Sequence, residues 1–238
     1  MPHLHLYRKL LRTFGPQGWW PTTPPRGKYP VYHADQGFPK IEKQRLEIAL
    51  GSILTQNTSW SNVERAIVQL NKSNMMNVER LMRLSLRRLQ KLIRSSGFFV
   101  QKAKKVKTFV QYLKQVHGGR LGAALRGPLW RVRQNLLGIF GVGPETADSI
   151  LLYAGGKPSF VVDAYTIRIG KRLGLFQTQK YDEVQRYFHQ RLPHSASLYA
   201  EFHALLVTLA KFYCRAKPLC RACPLLEECS YGKKYAMG

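Results

Sequence analysis

Leu136-Leu137-Gly138-Ile139-Phe140-Gly141-Val142-Gly143-Pro144-Glu145-Thr146-Ala147 is the stretch that decides the fold. Helical periodicity reaches it from Leu129 and resumes beyond it to Ala154, so a glycine turn joins two helices. Glycine permits positive φ and leaves backbone N–H groups uncovered, which is the expectation for Gly138, Gly141 and Gly143. Pro144 suits the first turn of the second helix, where a missing N–H costs nothing. Free amides at a helix start attract phosphate. Gly138, Gly141, Val142, Gly143 and Thr146 are therefore candidate contacts to a nucleic-acid backbone. A plain helix–turn–helix connection is the competing reading.

Charge favours the first reading. The 238 residues carry 38 Lys and Arg against 13 Asp and Glu, a formal +25. So large an imbalance repels itself, and an anionic partner explains keeping it; nucleic acid leads and an anionic membrane surface follows. No apolar run approaches the roughly 18 residues of a membrane span. The start, MPHLHLYRKLLRTFG, lacks the apolar core and cleavage site of a signal peptide, so the expected location is the cytosol or nucleoid.

Outward from the hairpin, helical patterns dominate. They are expected at 1–14, 41–55, 62–70, 77–84, 87–93, 101–116, 163–173, 181–191 and 197–214. In the helix of 101–116, Val106, Phe109, Val110 and Leu113 face inward and Lys102, Lys104, Lys105 and Lys107 mostly outward. Residues 15–40 are rich in Pro and Gly and are read as irregular. No strand is convincing apart from a weak signal at 159–162, so the fold class is all-α.

All four cysteines crowd one window: Cys214-x5-Cys220-x2-Cys223-x5-Cys229. A reducing compartment disfavours disulfides. Zinc sites usually pair two short Cys-x-x-Cys hooks, and only Cys220 and Cys223 form one. An iron–sulfur cluster accepts unequal spacing.

Twenty residues after Gly143, the apolar run Phe160-Val161-Val162 ends in Asp163. By itself such an Asp caps a helix. Together with the hairpin, the stretch from Leu136 to Leu175 resembles the helix–hairpin–helix DNA glycosylases of the endonuclease III superfamily, and the resemblance spans about residues 42 to 230. It implies a two-lobed all-α enzyme with double-stranded DNA carrying a damaged base as partner, acting as a monomer without a membrane. Asp163 falls on the catalytic Asp, and Cys214, Cys220, Cys223 and Cys229 on a C-terminal [4Fe–4S] loop whose first gap in the family is one residue longer.

In the bifunctional members a lysine stands two residues after the last hairpin glycine and cleaves the strand through an imine. Glu145 stands there in this chain, and a carboxylate forms no imine. The implied chemistry is monofunctional: the nucleotide is extruded, the glycosidic bond breaks, and an anionic carboxylate stabilises the oxocarbenium-like transition state. Glu145 has the simpler alternative of favouring the helix dipole.

Trp19-Trp20-Pro21, the run Leu54-Thr55-Gln56-Asn57-Thr58 with Trp60 beyond it, Gly97-Phe98 and Gln101-Lys102-Ala103-Lys104 resemble one branch, the bacterial 3-methyladenine DNA glycosylases of the third type. That branch is known without a cluster, whereas this chain keeps four cysteines. The branch implies a base pocket of Trp19, Trp20, Pro21, Trp60 and Glu145, with indoles above and below a cationic alkylated purine. Gln56 would fill the gap left by the extruded nucleotide, with Asn57 beside it. Core packing is the alternative for each Trp.

The expected lobes are a helical barrel at 42–156 and a second lobe of 1–41 with 157–238, Asp163 lying at the cleft. Rival functions are excision of oxidised pyrimidine, uracil or mismatched bases, a silent DNA-binding relative, and strand cleavage through another lysine such as Lys157 or Lys171.

Overall fold

The computed structural model describes residues 2–33 and 37–237. Among them the chain is all-helical: α1 (Pro2–Phe14), α2 (Glu42–Leu54), α3 (Trp60–Lys72), α4 (Val78–Arg83), α5 (Leu86–Leu92), α6 (Phe99–His117), α7 (Leu121–Ala124), α8 (Leu129–Leu137), α9 (Pro144–Ser149), α10 (Ala164–Leu173), α11 (Tyr181–Arg191), α12 (Ala196–Phe212) and α13 (Ser230–Met237). A π-helical turn, Ile150–Ala154, continues α9. The only β pairing among the described residues is one bridge between Thr22 and Val31, and 159–162 forms no strand. The short α7 and the terminal α13 lie outside the helices expected from periodicity.

The chain divides into two compact units, 20–159 and 1–19 with 160–238. This corrects the expected boundary: 20–41 belongs with the central unit, not with the termini. Its anchor is a buried carboxyl. Glu47 of α2 accepts from the Thr23 N–H (2.7 Å) and hydroxyl (2.9 Å), and from Asn71 Nδ2 of α3 (3.0 Å). Burial pushes the Glu47 carboxyl up from its usual range, and those donors hold it back. A charge pattern gives no hint that a Glu inside an apolar helix will fix a loop.

In the central unit α2 is the core helix, with every residue from Leu46 to Leu54 buried. Helix α6 packs beside it and corrects a second expectation. Lys102 is 2% exposed, and its ammonium donates to the carbonyls of Leu54 (2.8 Å) and Ser96 (2.6 Å). Lys107 similarly reaches the carbonyls of Leu81 (2.7 Å), Met82 (3.0 Å) and Leu84 at the end of α4. Both cations satisfy carbonyls at helix C-termini, where positive charge is favoured. Lys104 is exposed, as expected.

The terminal unit is built on α12, against which α1 and α10 pack. Phe160 stacks on Phe188 at 4.2 Å between centroids and meets Tyr199 and Phe202 edge to face. Ser195 caps α12 by accepting from the Leu198 N–H. Gln17 binds the same helix, its N–H on Glu201 (2.8 Å) and its side-chain oxygen under the Thr208 hydroxyl (2.6 Å).

Candidate nucleic-acid and catalytic site

The hairpin turns as the glycines suggest, but they do not share one role. Only Gly141 takes positive φ (+86°); Gly138 ends α8 at −71° and Gly143 starts α9 at −89° in extended backbone. A Cβ on Gly141 would collide with the Lys105 stem, 2.3 Å from its Cγ. A Cβ on Gly143 would meet nothing within 4 Å, so its backbone is open to an approaching partner. Ile139 and Val142 point into the core at 5% exposure while Phe140 between them is 61% exposed.

Two clasps hold this turn. Arg133 of α8 forms a two-pronged ion pair with Asp148 of α9, Nε to Oδ1 at 2.9 Å and an Nη to Oδ2 at 3.0 Å. Asp148 is fully buried and also accepts from the Ser159 hydroxyl at 2.6 Å. On the other side, Gln56 Nε2 donates to the Gly141 carbonyl and to Thr146 Oγ1, each at 2.9 Å, and Lys105 donates to Gln56 Oε1 at 2.5 Å. Gln56, Lys105 and the turn 137–143 line one open groove. Asn57 beside Gln56 is exposed and sits at φ +54°.

Trp20, Trp60 and Tyr153 form an aromatic cluster in this same unit. The two indoles meet edge to face (86°) at 5.3 Å, and Trp20 lies 5.4 Å from Tyr153. Gly51 makes room for it, because a Cβ there would sit 3.0 Å from the Trp20 ring. Rings 5.3 Å apart at right angles leave no slot for a base, so Trp20 and Trp60 are not the two faces of a sandwich. They pack edge to face against one another. Pro21, next to Trp20 in sequence, is buried, and Glu145 is exposed in the first turn of α9. Trp19 falls in the terminal unit and is half-buried.

Asp163, also in the terminal unit, is the N-cap of α10. Its Oδ1 accepts from the Thr166 N–H (2.7 Å) and hydroxyl (2.8 Å), and His203 Nε2 of α12 lies 3.5 Å from Oδ2. Burial alone would raise this carboxyl. His203 and the Thr166 bonds outweigh burial and hold it below the usual carboxylate range, so it is anionic at neutral pH.

The four cysteines follow α12, and no disulfide joins them. Burial first, then the neighbouring thiols, raises Cys220, and raises Cys223 to about 11. The sulfurs are thus close enough to feel one another. Among the described residues, no group of three or more His, Cys, Asp or Glu side chains is closed around a metal position. By donor chemistry, four thiols suit a soft metal centre. Arg172 of α10 clamps the loop: its guanidinium donates to Cys214 Sγ (3.3 Å) and to the carbonyls of Arg215 (2.6 Å) and Ala216 (3.1 Å). Arg168 adds a bond to the Cys214 carbonyl at 2.9 Å, and Lys9 of α1 pairs with Glu228 at 2.9 Å.

Sequence reasoning missed His203, Tyr153, Lys105 and Arg172 as members of these clusters, and it gave Phe98 no role of its own. Phe98 is 70% exposed in left-handed backbone (φ +45°) just before α6, a conformation a bulky residue rarely adopts. Its only advance signal was the Gly97-Phe98 pair.

A family model for HhH-GPD superfamily base excision DNA repair proteins matches residues 50–194. A protein of Methanocaldococcus jannaschii assigned provisionally as a DNA repair glycosylase is 40% identical over 226 residues, covering 94% of each chain. Endonuclease III of Thermotoga maritima is 27% identical over 204 residues, covering 84% of this chain and 91% of its own. Among solved structures, an endonuclease III–DNA complex aligns with TM-score 0.77 at 22% identity over 100% of this chain and 98% of that one. The Helicobacter pylori 3-methyladenine DNA glycosylase bound to 1,N6-ethenoadenine aligns with TM-score 0.70 at 26% identity over 88% and 96%. No helix among the described residues is long and apolar enough to cross a membrane. With the hairpin, its clasps and the capped Asp163 in place, the chain belongs to the HhH-GPD superfamily of base excision DNA repair proteins and is a DNA glycosylase.

Proposed function

We propose that this glycosylase removes cationic alkylated purines such as 3-methyladenine and leaves the abasic strand uncut. The observation that carries the reading is the Trp20–Trp60–Tyr153 cluster in the unit that also bears Glu145. An N3-alkylated adenine is already a cation and a good leaving group. It needs recognition more than acid catalysis, which the indoles would supply through the ring quadrupole and Glu145, in the same unit, through its charge. The likeness to the Helicobacter pylori 3-methyladenine glycosylase supports the same substrate class.

Asp163 would carry the chemistry. As the C1′–N bond breaks, its electron pair leaves with the base and positive charge develops on the sugar. The Asp163 carboxylate stabilises that charge, and water adds to C1′ and gives up a proton to solvent, leaving a C1′ hydroxyl. Glu145 at the second position of α9 offers no amine for an imine. The groove along Gln56, Lys105 and 137–143 would grip the DNA backbone, with Asn57 beside it. Exposed Phe98 is suited to wedge between base pairs.

Cys214, Cys220, Cys223 and Cys229 would hold a [4Fe–4S] cluster. When bound, it supplies a rigid knot for a loop bearing Arg215, Lys217 and Arg221.

The test is incubation with methylated genomic DNA and chromatography of the released bases, beside a panel of single-lesion duplexes. Release of 3-methyladenine with an intact strand and no borohydride-trapped adduct is expected. Release of oxidised pyrimidines alone would overturn the substrate, and a trapped adduct would overturn the monofunctional chemistry. Asp163→Asn keeps an oxygen for the Thr166 cap and should lose about 100-fold or more in rate.

A further inference from the structure

The two oxygens of Asp163 are not equivalent. Oδ1 accepts both Thr166 bonds, which lock it into the start of α10. Oδ2 is the one left to face a reacting sugar, and the group that meets it is His203 Nε2 at 3.5 Å. Side-chain exposure is 15% for Asp163 and 9% for His203, so the pair is largely out of water, where a polar contact counts for more. His203 sits within the 17-residue α12, next to Phe202, which packs on Phe160. Its position is set by the core rather than by a loop.

We propose that His203 is a positioning residue for Asp163: its Nε2 steers Oδ2 toward the sugar. The inference rests on the reading of Asp163 as the catalytic carboxylate. At 3.5 Å the contact is long for a hydrogen bond in the free enzyme, as catalytic contacts often are before substrate tightens them.

The test compares two neutral amides of similar size. His203→Gln carries its N–H about as far out as Nε2, whereas His203→Asn falls short of it. Single-turnover release of 3-methyladenine, affinity for an abasic-analogue duplex and melting temperature are measured for both, with Asp163→Asn as control. The expected result is that His203→Gln keeps most of the rate and His203→Asn loses about 10- to 100-fold, the scale of one hydrogen bond to a charged group. Affinity and melting temperature should match between the two. Equal loss in both, or loss in neither, overturns the proposal for His203 while an inactive Asp163→Asn leaves the catalytic carboxylate standing. Near-normal rate in Asp163→Asn overturns both readings together.

Discussion

Gln56 Nε2 donates to the backbone carbonyl of Gly141 at 2.9 Å, so the residue after α2 is latched to the turn between α8 and α9. The same amide holds Thr146 Oγ1 and accepts from Lys105. All of its bonds lie within the protein's own fold, where the family resemblance suggested a gap-filling role in DNA. The two roles are compatible only if the amide leaves the hairpin when DNA binds.

Gln56→Ala should therefore loosen the hairpin before any DNA is added. Losing two bonds from Nε2 costs about 2 kcal/mol at roughly 1 kcal/mol each. Hydrogen exchange of the amides of 141–143 should speed up in the free variant, and affinity for duplex DNA should fall with it. Unchanged exchange there would mean that the latch contributes nothing in solution.

Lys102 gives a pH signature. Burial first, and then Lys105, lowers its ammonium from 10.5 to about 8. The unfolded chain then binds more protons than the folded one between about pH 8 and 10.5, so wild-type stability gains with rising pH across that window. Lys102→Met removes the donor for the Leu54 and Ser96 carbonyls and should cost about 1–3 kcal/mol at pH 7. Denaturant titrations at intervals from pH 7 to 10.5 should show the wild type pulling further ahead of the Met variant above pH 8. A constant gap would mean that the ammonium is not perturbed.

Lys102 also shows what the sequence conceals. Apolar spacing placed α6 and its neighbours within a few residues, because periodicity is local. A lysine in that helix reads as solvent-facing, yet a four-carbon stem lets the ammonium reach a buried helix end. Glu47 gives no local sign of its role either, because Thr23 and Asn71 reach it only through the fold. The hairpin was legible because it is contiguous. His203, Arg172 and Tyr153 were not, because each acquires its partner only through tertiary packing: Asp163, Cys214 and Trp20.

Arg172 should tune the cluster loop. The purified protein should be yellow-brown, with broad absorption near roughly 400 nm from a four-iron centre. Arg172→Gln removes a positive charge beside Cys214 and frees two loop carbonyls. Less iron per chain and a lower midpoint potential are expected, since a lost cation disfavours the more negative reduced state. One zinc and no iron in the wild type would overturn the cluster assignment.

The Trp20–Trp60 geometry makes the substrate prediction sharp. Trp20 touches Trp60, Tyr153 and the space over Gly51, so truncating it disturbs packing whatever the ligand. Trp60 is the cleaner probe. Trp60→Phe keeps an aromatic wall but weakens the quadrupole, and indole is the strongest of the three rings for a cation. The loss should amount to about 1 kcal/mol for a charged base, or roughly fivefold, and be smaller for a neutral one. Cationic 3-methyladenine and neutral 1,N6-ethenoadenine in otherwise identical duplexes separate the two under single turnover. A selective loss on the cation supports an electrostatic wall. Equal losses on both bases would mean that Trp60 only packs the unit, and the alkylpurine reading would lose its main support.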